Sequence, residues 1–327
     1  MITFAGVLLG VLLLIGGGVL LVRGASEIAL EYGVSPMVIG LTIVGFGTSA
    51  PELIVNIVGA LRGETALAFG NVIGSNISNL GLVLGLAAIV TPITIQGDLV
   101  RRELPLLLLA TTMMVVLALD GPLEGMPAVV GRTDSIVLIL MFCIFIYFTA
   151  HDFLATKKTE ALFADIKEHP KILTASSSRA RWLLLLAGFV LLFVGGEITV
   201  RNGVALAMQF GTSSTIIGLF VIAIGTSMPE LATSIVAAIR GESDLAMGNV
   251  IGSNIFNSLL VLPTSGLISQ IPVPTGGVGD LAVSWLLAAV LVPVFFIGKA
   301  RIGRFTGAII LAAYCLYALV RIFTGFS

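Results

Sequence analysis

Ten stretches of the sequence, near residues 3–31, 36–61, 66–90, 103–119, 134–150, 182–209, 213–239, 245–269, 280–298 and 304–322, are apolar and long enough to cross a bilayer. Nothing else constrains the fold as tightly. In hydrocarbon every backbone N–H and C=O must be satisfied inside the protein, and these segments read as helices. Only 11% of the 327 residues are charged, against about 25% in soluble domains. The expectation is an all-α membrane protein of ten transmembrane helices with the lipid bilayer as its main partner. The first apolar stretch has no basic region before it and runs on to Arg23, so it reads as a retained helix rather than a cleaved signal. A net charge of −1 argues against nucleic acid as a partner. Cys143 and Cys315 sit in apolar runs and read as small core or lipid-facing residues, not a disulfide framework.

The two halves of the chain repeat one another. Residues 47–53 read Gly-Thr-Ser-Ala-Pro-Glu-Leu and residues 225–231 read Gly-Thr-Ser-Met-Pro-Glu-Leu. Each is followed by Gly-Asn-Val-Ile-Gly-Ser-Asn-Ile-x-Asn, at 70–79 and 248–257. At a constant offset of 178, residues 38–84 match 216–262 at 29 of 47 positions without a gap, which only a duplication explains. Upstream, Gly17-Gly18 matches Gly195-Gly196 and Arg23 matches Arg201. The long polar connection at 151–181 divides a first repeat (1–150) from a second (182–327). Five spans per half is an odd number, so the second copy enters the bilayer upside down. The expected architecture is therefore two inverted five-helix repeats, with a site near the midplane between them.

Orientation follows from the basic residues. Ten spans put Lys157, Lys158, Lys167, Lys171, Arg179 and Arg181 of the connection on the same side as Arg101, Arg102, Arg240, Lys299, Arg301 and Arg304. The opposite side holds Arg62, Arg132 and Arg321. By the positive-inside rule the connection is cytoplasmic and both termini are extracellular, in the cell membrane. Arg23 and Arg201, inside spans, read as side chains reaching for an interface.

Each repeated motif carries a proline that a helix disfavours and a glutamate that a bilayer disfavours. Pro51 and Pro229 have no N–H, so the carbonyls of Gly47 and Gly225 lose their helical partners. Thr48, Ser49 and Glu52 lie three and four residues apart and face one side of that turn, as do Thr226, Ser227 and Glu230. Carbonyl, hydroxyl and carboxylate oxygens gathered in this way suit hard cations such as Na⁺ and Ca²⁺. Ser75 and Asn79, and likewise Ser253 and Asn257, are four apart and supply a facing wall. Asn71, Asn76, Asn249 and Asn254 read equally well as hydrogen bonds that tie helices together. Two intramembrane carboxylates at matching places point to function rather than packing.

Gly-Thr-Ser-x-Pro-Glu followed by Gly-Asn-Val-Ile-Gly-Ser-Asn resembles the two α-repeats of the calcium/cation antiporter superfamily, in its prokaryotic ten-helix sodium/calcium exchanger branch. The resemblance covers nearly the whole chain. It implies cation ligands at Thr48, Ser49, Glu52, Ser75 and Asn79 in the first repeat, and at Thr226, Ser227, Glu230, Ser253 and Asn257 in the second. It also implies main-chain carbonyl ligands at Gly45 and Ala223, exchange of three Na⁺ for one Ca²⁺, and sliding of the first and sixth helices across the other eight. Some prokaryotic members and the potassium-dependent branch have aspartate where this chain has Asn257. That departure weakens the case for K⁺ and leaves two carboxylates, a charge of −2 that one Ca²⁺ neutralises. Protons are expected to compete with both cations for these carboxylates, so transport should fall in mild acid.

Other classes fit less well. A proton/calcium antiporter is the nearest alternative, though its branch lacks the Thr-Ser before Pro-Glu. A channel commonly builds carboxylate rings from several subunits, whereas here both acids come from one chain. An enzyme is not expected, because no histidine falls in any span to activate Ser49 or Ser227. No G-x-x-x-x-G-K-[ST] loop is present, so ATP is not the expected energy source. Neither a cofactor nor an obligate protein partner is expected. Glu197, whose repeat counterpart is Val19, reads as a partly wet structural carboxylate.

Overall fold

The computed structural model describes residues 2–94, 97–123, 125–163, 177–209, 223–297 and 301–324. Its first half runs α1 (Ile2–Tyr32), α2 (Pro36–Thr48), α3 (Ala50–Leu61), α4 (Thr65–Val90), β1 (Ile93–Thr94), α5 (Gly97–Ala118), β2 (Val129–Val130) and α6 (Arg132–Phe163). The second runs α7 (Ser178–Gln209), α8 (Ala223–Thr226), α9 (Met228–Ile239), α10 (Ser243–Ile268), β3 (Ile271–Pro272), α11 (Gly277–Ile297), β4 (Arg301–Ile302) and α12 (Arg304–Thr324). Among the described residues seven helices are long and apolar enough to cross a membrane, or eight if α2 and α3 form one bent span. Residues 210–222, which include the first part of the seventh expected segment (213–239), lie outside the described residues, as does His169.

Local sequence explains where the helices bend. Ser35 caps α2 by accepting from Val38 N at 3.3 Å, and Pro36 occupies the first turn, where no N–H is needed. α2 and α3 meet at an angle of 41° at Ser49. There the backbone (φ −85°, ψ 1°) leaves the helical region, and Pro51 falls in the first turn of α3. Ser227 repeats this conformation between α8 and α9 (φ −86°, ψ 6°). Both Arg-Gly-Glu turns depend on a left-handed glycine, Gly63 at φ 78° and Gly241 at φ 79°.

α4 and α10 form the buried centre. Phe69, Ile73 and Ile77 of α4, with Val250, Ile251 and Ile255 of α10, belong to one apolar core. β3, which follows α10, packs on the first part of α4, and β1, which follows α4, packs on the first part of α10. The two helices therefore run antiparallel. Each contains one π turn, at Asn79–Val83 and Asn257–Val261. A third π turn, Gly40–Val44, lies in α2. Such turns concentrate at functional sites.

α1 and α7 pack antiparallel along a glycine seam. A Cβ at Gly17 would lie 2.8 Å from Leu192 N, one at Gly24 2.8 Å from Leu185 N, and one at Gly195 2.8 Å from Leu14 N. The missing side chains let the two backbones touch, which is how membrane helices associate without a hydrophobic driving force. At one end Arg181, nearly buried, pairs with Glu31 at 2.7 Å and lies 3.9 Å from Glu27, which itself pairs with Arg23 at 2.9 Å. Removing this nearly buried cation takes the counter-charge at 2.7 Å from Glu31 and leaves Glu27 with Arg23. Arg181→Met is therefore expected to lower stability by about 1–3 kcal/mol, read as a lower unfolding temperature in detergent. An unchanged temperature would mean that the glycine seam alone holds the pair.

Several expectations need correction. The 151–181 connection is helical to Phe163 and again from Ser178, because helix-forming Ala, Leu, Lys and Glu carry α6 past the apolar stretch; residues 164–176 lie outside the described residues. α5 begins at Gly97, before the expected fourth segment near 103–119, so the charged stretch 97–103 is helical. There Glu103 is buried against Arg102, which shields its charge. Four two-residue strands join the helices: β1 pairs antiparallel with β4, and β2 with β3. These two-residue ladders satisfy backbone groups where the chain turns between helices. Cys143 and Cys315 are free and exposed on the apolar surface, and Glu197 is exposed.

Candidate cation site

The bends at Ser49 and Ser227 bring the two glutamates into one polar pocket. Glu52 and Glu230 are each wholly buried, in the first turns of α3 and α9. Ser49, one turn before Glu52, donates to Glu230 Oε1 at 3.5 Å. Ser75 of α4 donates to Glu52 Oε1 at 3.5 Å. The two carboxylates lie close enough to repel each other.

Thr48 connects the pocket to α10. Its Oγ1 lies 3.0 Å from Asn249 Oδ1 and 3.3 Å from Ser253 Oγ, and Ser253 Oγ donates to the Gly45 carbonyl at 3.4 Å. α2 and α10 approach this closely because Gly248 and Gly252 carry no side chain: a Cβ there would lie 2.5 Å from the carbonyls of Met37 and Leu41 respectively. Thr226 is half-buried and donates to Asn71 Oδ1 at 3.5 Å. Ala223 opens α8, one turn before Ser227.

Asn79 and Asn257 each open a π turn and are wholly buried. Among the described residues neither amide has a hydrogen-bond partner; nor do Glu52 Oε2, Glu230 Oε2 and Ser227 Oγ. Buried polar atoms are almost always satisfied, and leaving them bare is costly. Orphan oxygens gathered beside two carboxylates are what a desolvated cation satisfies. Among the described residues no group of three or more His, Cys, Asp and Glu forms a metal cluster. The donor set is oxygen throughout, which suits hard cations and not soft ones.

Asn56 and Ser234 were not singled out from the sequence. Asn56, wholly buried, accepts from Asn71 Nδ2 at 2.7 Å and donates to the Ala68 carbonyl at 3.2 Å. Ser234, equally buried, accepts from Asn249 Nδ2 at 2.9 Å. The offset of 178 that aligns the motifs also aligns these two positions, and that was the available signal. Of the four asparagines read as interhelical ties, Asn76 makes one across to Ser258 at 2.9 Å, while Asn254 turns back on the Val250 carbonyl of its own helix.

A helical fold with spans apolar enough to cross a membrane, built around a two-carboxylate, all-oxygen pocket, is the class of structure that carries cations. The sequence profile of the sodium/calcium exchanger protein family matches residues 2–150 and 180–323, and the chain belongs to that family. It is 33% identical over 314 residues to inner membrane protein YrbG of Escherichia coli (strain K12), covering 95% of this chain and 94% of that one. It is 28% identical over 348 residues to the sodium/calcium exchanger MaX1 of Methanosarcina acetivorans, covering 98% of each. The Ca(2+)/H(+) antiporter ChaA of Bacillus subtilis (strain 168) is 26% identical over 317 residues, covering 90% of this chain and 86% of that one. Among solved structures, the sodium-calcium exchanger NCX_Mj soaked without Na⁺ and Ca²⁺ superposes with a TM-score of 0.81 at 30% identity, covering 97% of this chain and 98% of that one. The chain is an integral membrane protein, and MaX1, ChaA and NCX_Mj are exchangers or antiporters rather than enzymes.

Proposed function

We propose that this protein is a secondary antiporter exchanging Na⁺ for Ca²⁺ by alternating access. One observation carries the reading: two wholly buried glutamates from matching bends share a pocket, and each keeps a carboxylate oxygen without a hydrogen-bond partner among the described residues. Two negative charges in a desolvated pocket repel, and a dication relieves that repulsion. The side-chain ligands in this proposal are Thr48, Ser49, Glu52, Ser75, Asn79, Thr226, Ser227, Glu230, Ser253 and Asn257, with main-chain carbonyls at Gly45 and Ala223. One Ca²⁺ neutralises the pair and three Na⁺ leave it at +1, so an expected ratio of three to one makes exchange electrogenic. Similarity to MaX1 and NCX_Mj supports Na⁺ as the coupling ion.

The architecture proposed with this function is ten spans in two inverted five-helix repeats, 1–150 and 182–327. Antiparallel α4 and α10, the matched conformations at Ser49 and Ser227, and the exchange of strands between halves support it. Both termini are proposed to be extracellular and the 151–181 connection cytoplasmic, in the cell membrane.

Similarity to ChaA makes protons the rival coupling ion. ⁴⁵Ca²⁺ uptake into proteoliposomes, under an outward gradient of Na⁺, K⁺ or H⁺ imposed separately, decides between them. The expected result is uptake driven by Na⁺ and not by K⁺. Uptake driven by H⁺ alone would assign the chain to proton/calcium exchange.

A further inference from the structure

Asn249, wholly buried on α10, touches both halves of the pocket. Its Nδ2 donates to the Glu230 carbonyl at 3.3 Å and to Ser234 Oγ at 2.9 Å, and its Oδ1 accepts from Thr48 Oγ1 at 3.0 Å. The orientation of this amide is forced. A carbonyl oxygen only accepts, so the end facing Glu230 must be the NH₂ and the end facing Thr48 the oxygen. The hydroxyl of Thr48 has a single hydrogen, and Asn249 Oδ1 is its nearest pure acceptor; the Gly45 carbonyl lies farther away, at 3.4 Å. With that hydrogen committed, the lone pairs of Thr48 Oγ1 turn away from Asn249, to the side of Ser253. A hydroxyl ligates a cation through a lone pair and never through its hydrogen.

The first repeat reaches the same result with a different anchor. At the offset of 178, Asn71 corresponds to Asn249, Asn56 to Ser234 and Thr226 to Thr48. Asn56 Nδ2 donates to the Ala68 carbonyl, which leaves Asn56 Oδ1 to accept from Asn71 Nδ2. Asn71 Oδ1 is then the atom that accepts from Thr226 Oγ1, at 3.5 Å. In both cases an asparagine of one repeat holds a threonine of the other.

We infer that Asn249 and Asn71 are positioning residues for cation binding, each accepting the hydroxyl hydrogen of the opposite repeat's threonine so that the threonine's lone pairs face the ion. This rests on the reading of Thr48 and Thr226 as cation ligands.

Equilibrium ⁴⁵Ca²⁺ binding to the detergent-purified full chain, with displacement by Na⁺, tests it without depending on which ion drives transport. The variants are Asn249→Ala, Thr48→Val and their double, and Asn71→Ala, Thr226→Val and their double, with Thr48→Ser as a conservative rescue. Each single substitution to Ala or Val is expected to raise the Ca²⁺ dissociation constant or the half-displacing Na⁺ concentration about tenfold. Each double should be little worse than its singles, because the asparagine acts only through the threonine. Thr48→Ser, which keeps the hydroxyl, should recover most of the binding that Thr48→Val loses. Effects that multiply in the double variants, or asparagine variants that bind both ions normally, overturn the inference and leave the functional reading standing. An unaltered protein that binds no ⁴⁵Ca²⁺ overturns both. If Asn249→Ala does not fold, the pair at the half-buried Asn71 decides by the same criteria.

Discussion

Glu230→Gln is expected to abolish ⁴⁵Ca²⁺ uptake into proteoliposomes while the protein still folds, and Glu52→Gln to do the same. Each carboxylate is wholly buried, and the polar partners given to its side chain are neutral hydroxyls. A cation bound there loses its water and is compensated mainly by these two charges. Removing one partner of a buried charge pair costs about 3–5 kcal/mol, a hundredfold or more in affinity. Glutamine keeps the volume and an acceptor oxygen, so packing is preserved. Without cations the substitution also relieves carboxylate repulsion, so the unfolding temperature in cation-free detergent should hold or rise. Added Ca²⁺ should raise that temperature in the unaltered protein and not in the variants, since a ligand stabilises only the state that binds it. Normal uptake in either variant would remove that glutamate from the transport site.

Gly252→Ala is the second large effect. Its new Cβ would sit 2.5 Å from the Leu41 carbonyl oxygen and 2.9 Å from that residue's Cα. Both obstacles are backbone atoms of α2, with no flexible side-chain end to swing aside, so α2 must shift away from α10. Overpacking of this kind costs about 1–3 kcal/mol. The same shift separates Gly45 and Thr48 on α2 from Ser253 on α10, which now lie 3.4 and 3.3 Å apart. Ca²⁺ uptake is expected to fall about tenfold or more, with a lower unfolding temperature, and Gly252→Val should be worse than Gly252→Ala. A Gly252→Val variant with normal uptake would show that the approach of α2 to α10 is not needed for transport.

Much of this was legible in one dimension because the bilayer is a demanding solvent. A carboxylate is expensive there, so Glu52 and Glu230 stand out against apolar neighbours without any structure. Duplication then makes each half a check on the other: Gly63 and Gly241 adopt the same left-handed turn, and Ser49 and Ser227 the same bend. Spacing alone put Ser75 and Asn79 on one helix face, since residues four apart align in any α-helix. It did not foretell that Asn79 and Asn257 would each open a π turn, because an extra residue in a turn is accommodated by the packing around it.

The sequence by itself determined the membrane-spanning helical class, the duplication, the two helix breaks and the acids beside them, all of which follow from local chemistry and from the cost of polarity in lipid. Only the tertiary structure decided which oxygen meets which. Ser49 donates to the glutamate of the other repeat, while the hydroxyl of its counterpart Ser227 has no partner among the described residues. Ser75 holds Glu52, while its counterpart Ser253 turns to Gly45 and Thr48. Near-identical sequences behave differently because these contacts, Ser75 to Glu52 excepted, join residues 181 to 208 positions apart across the packing of α2, α9 and α10. A repeat fixes local conformation twice over, but the register of one copy against the other exists only once the helices have packed.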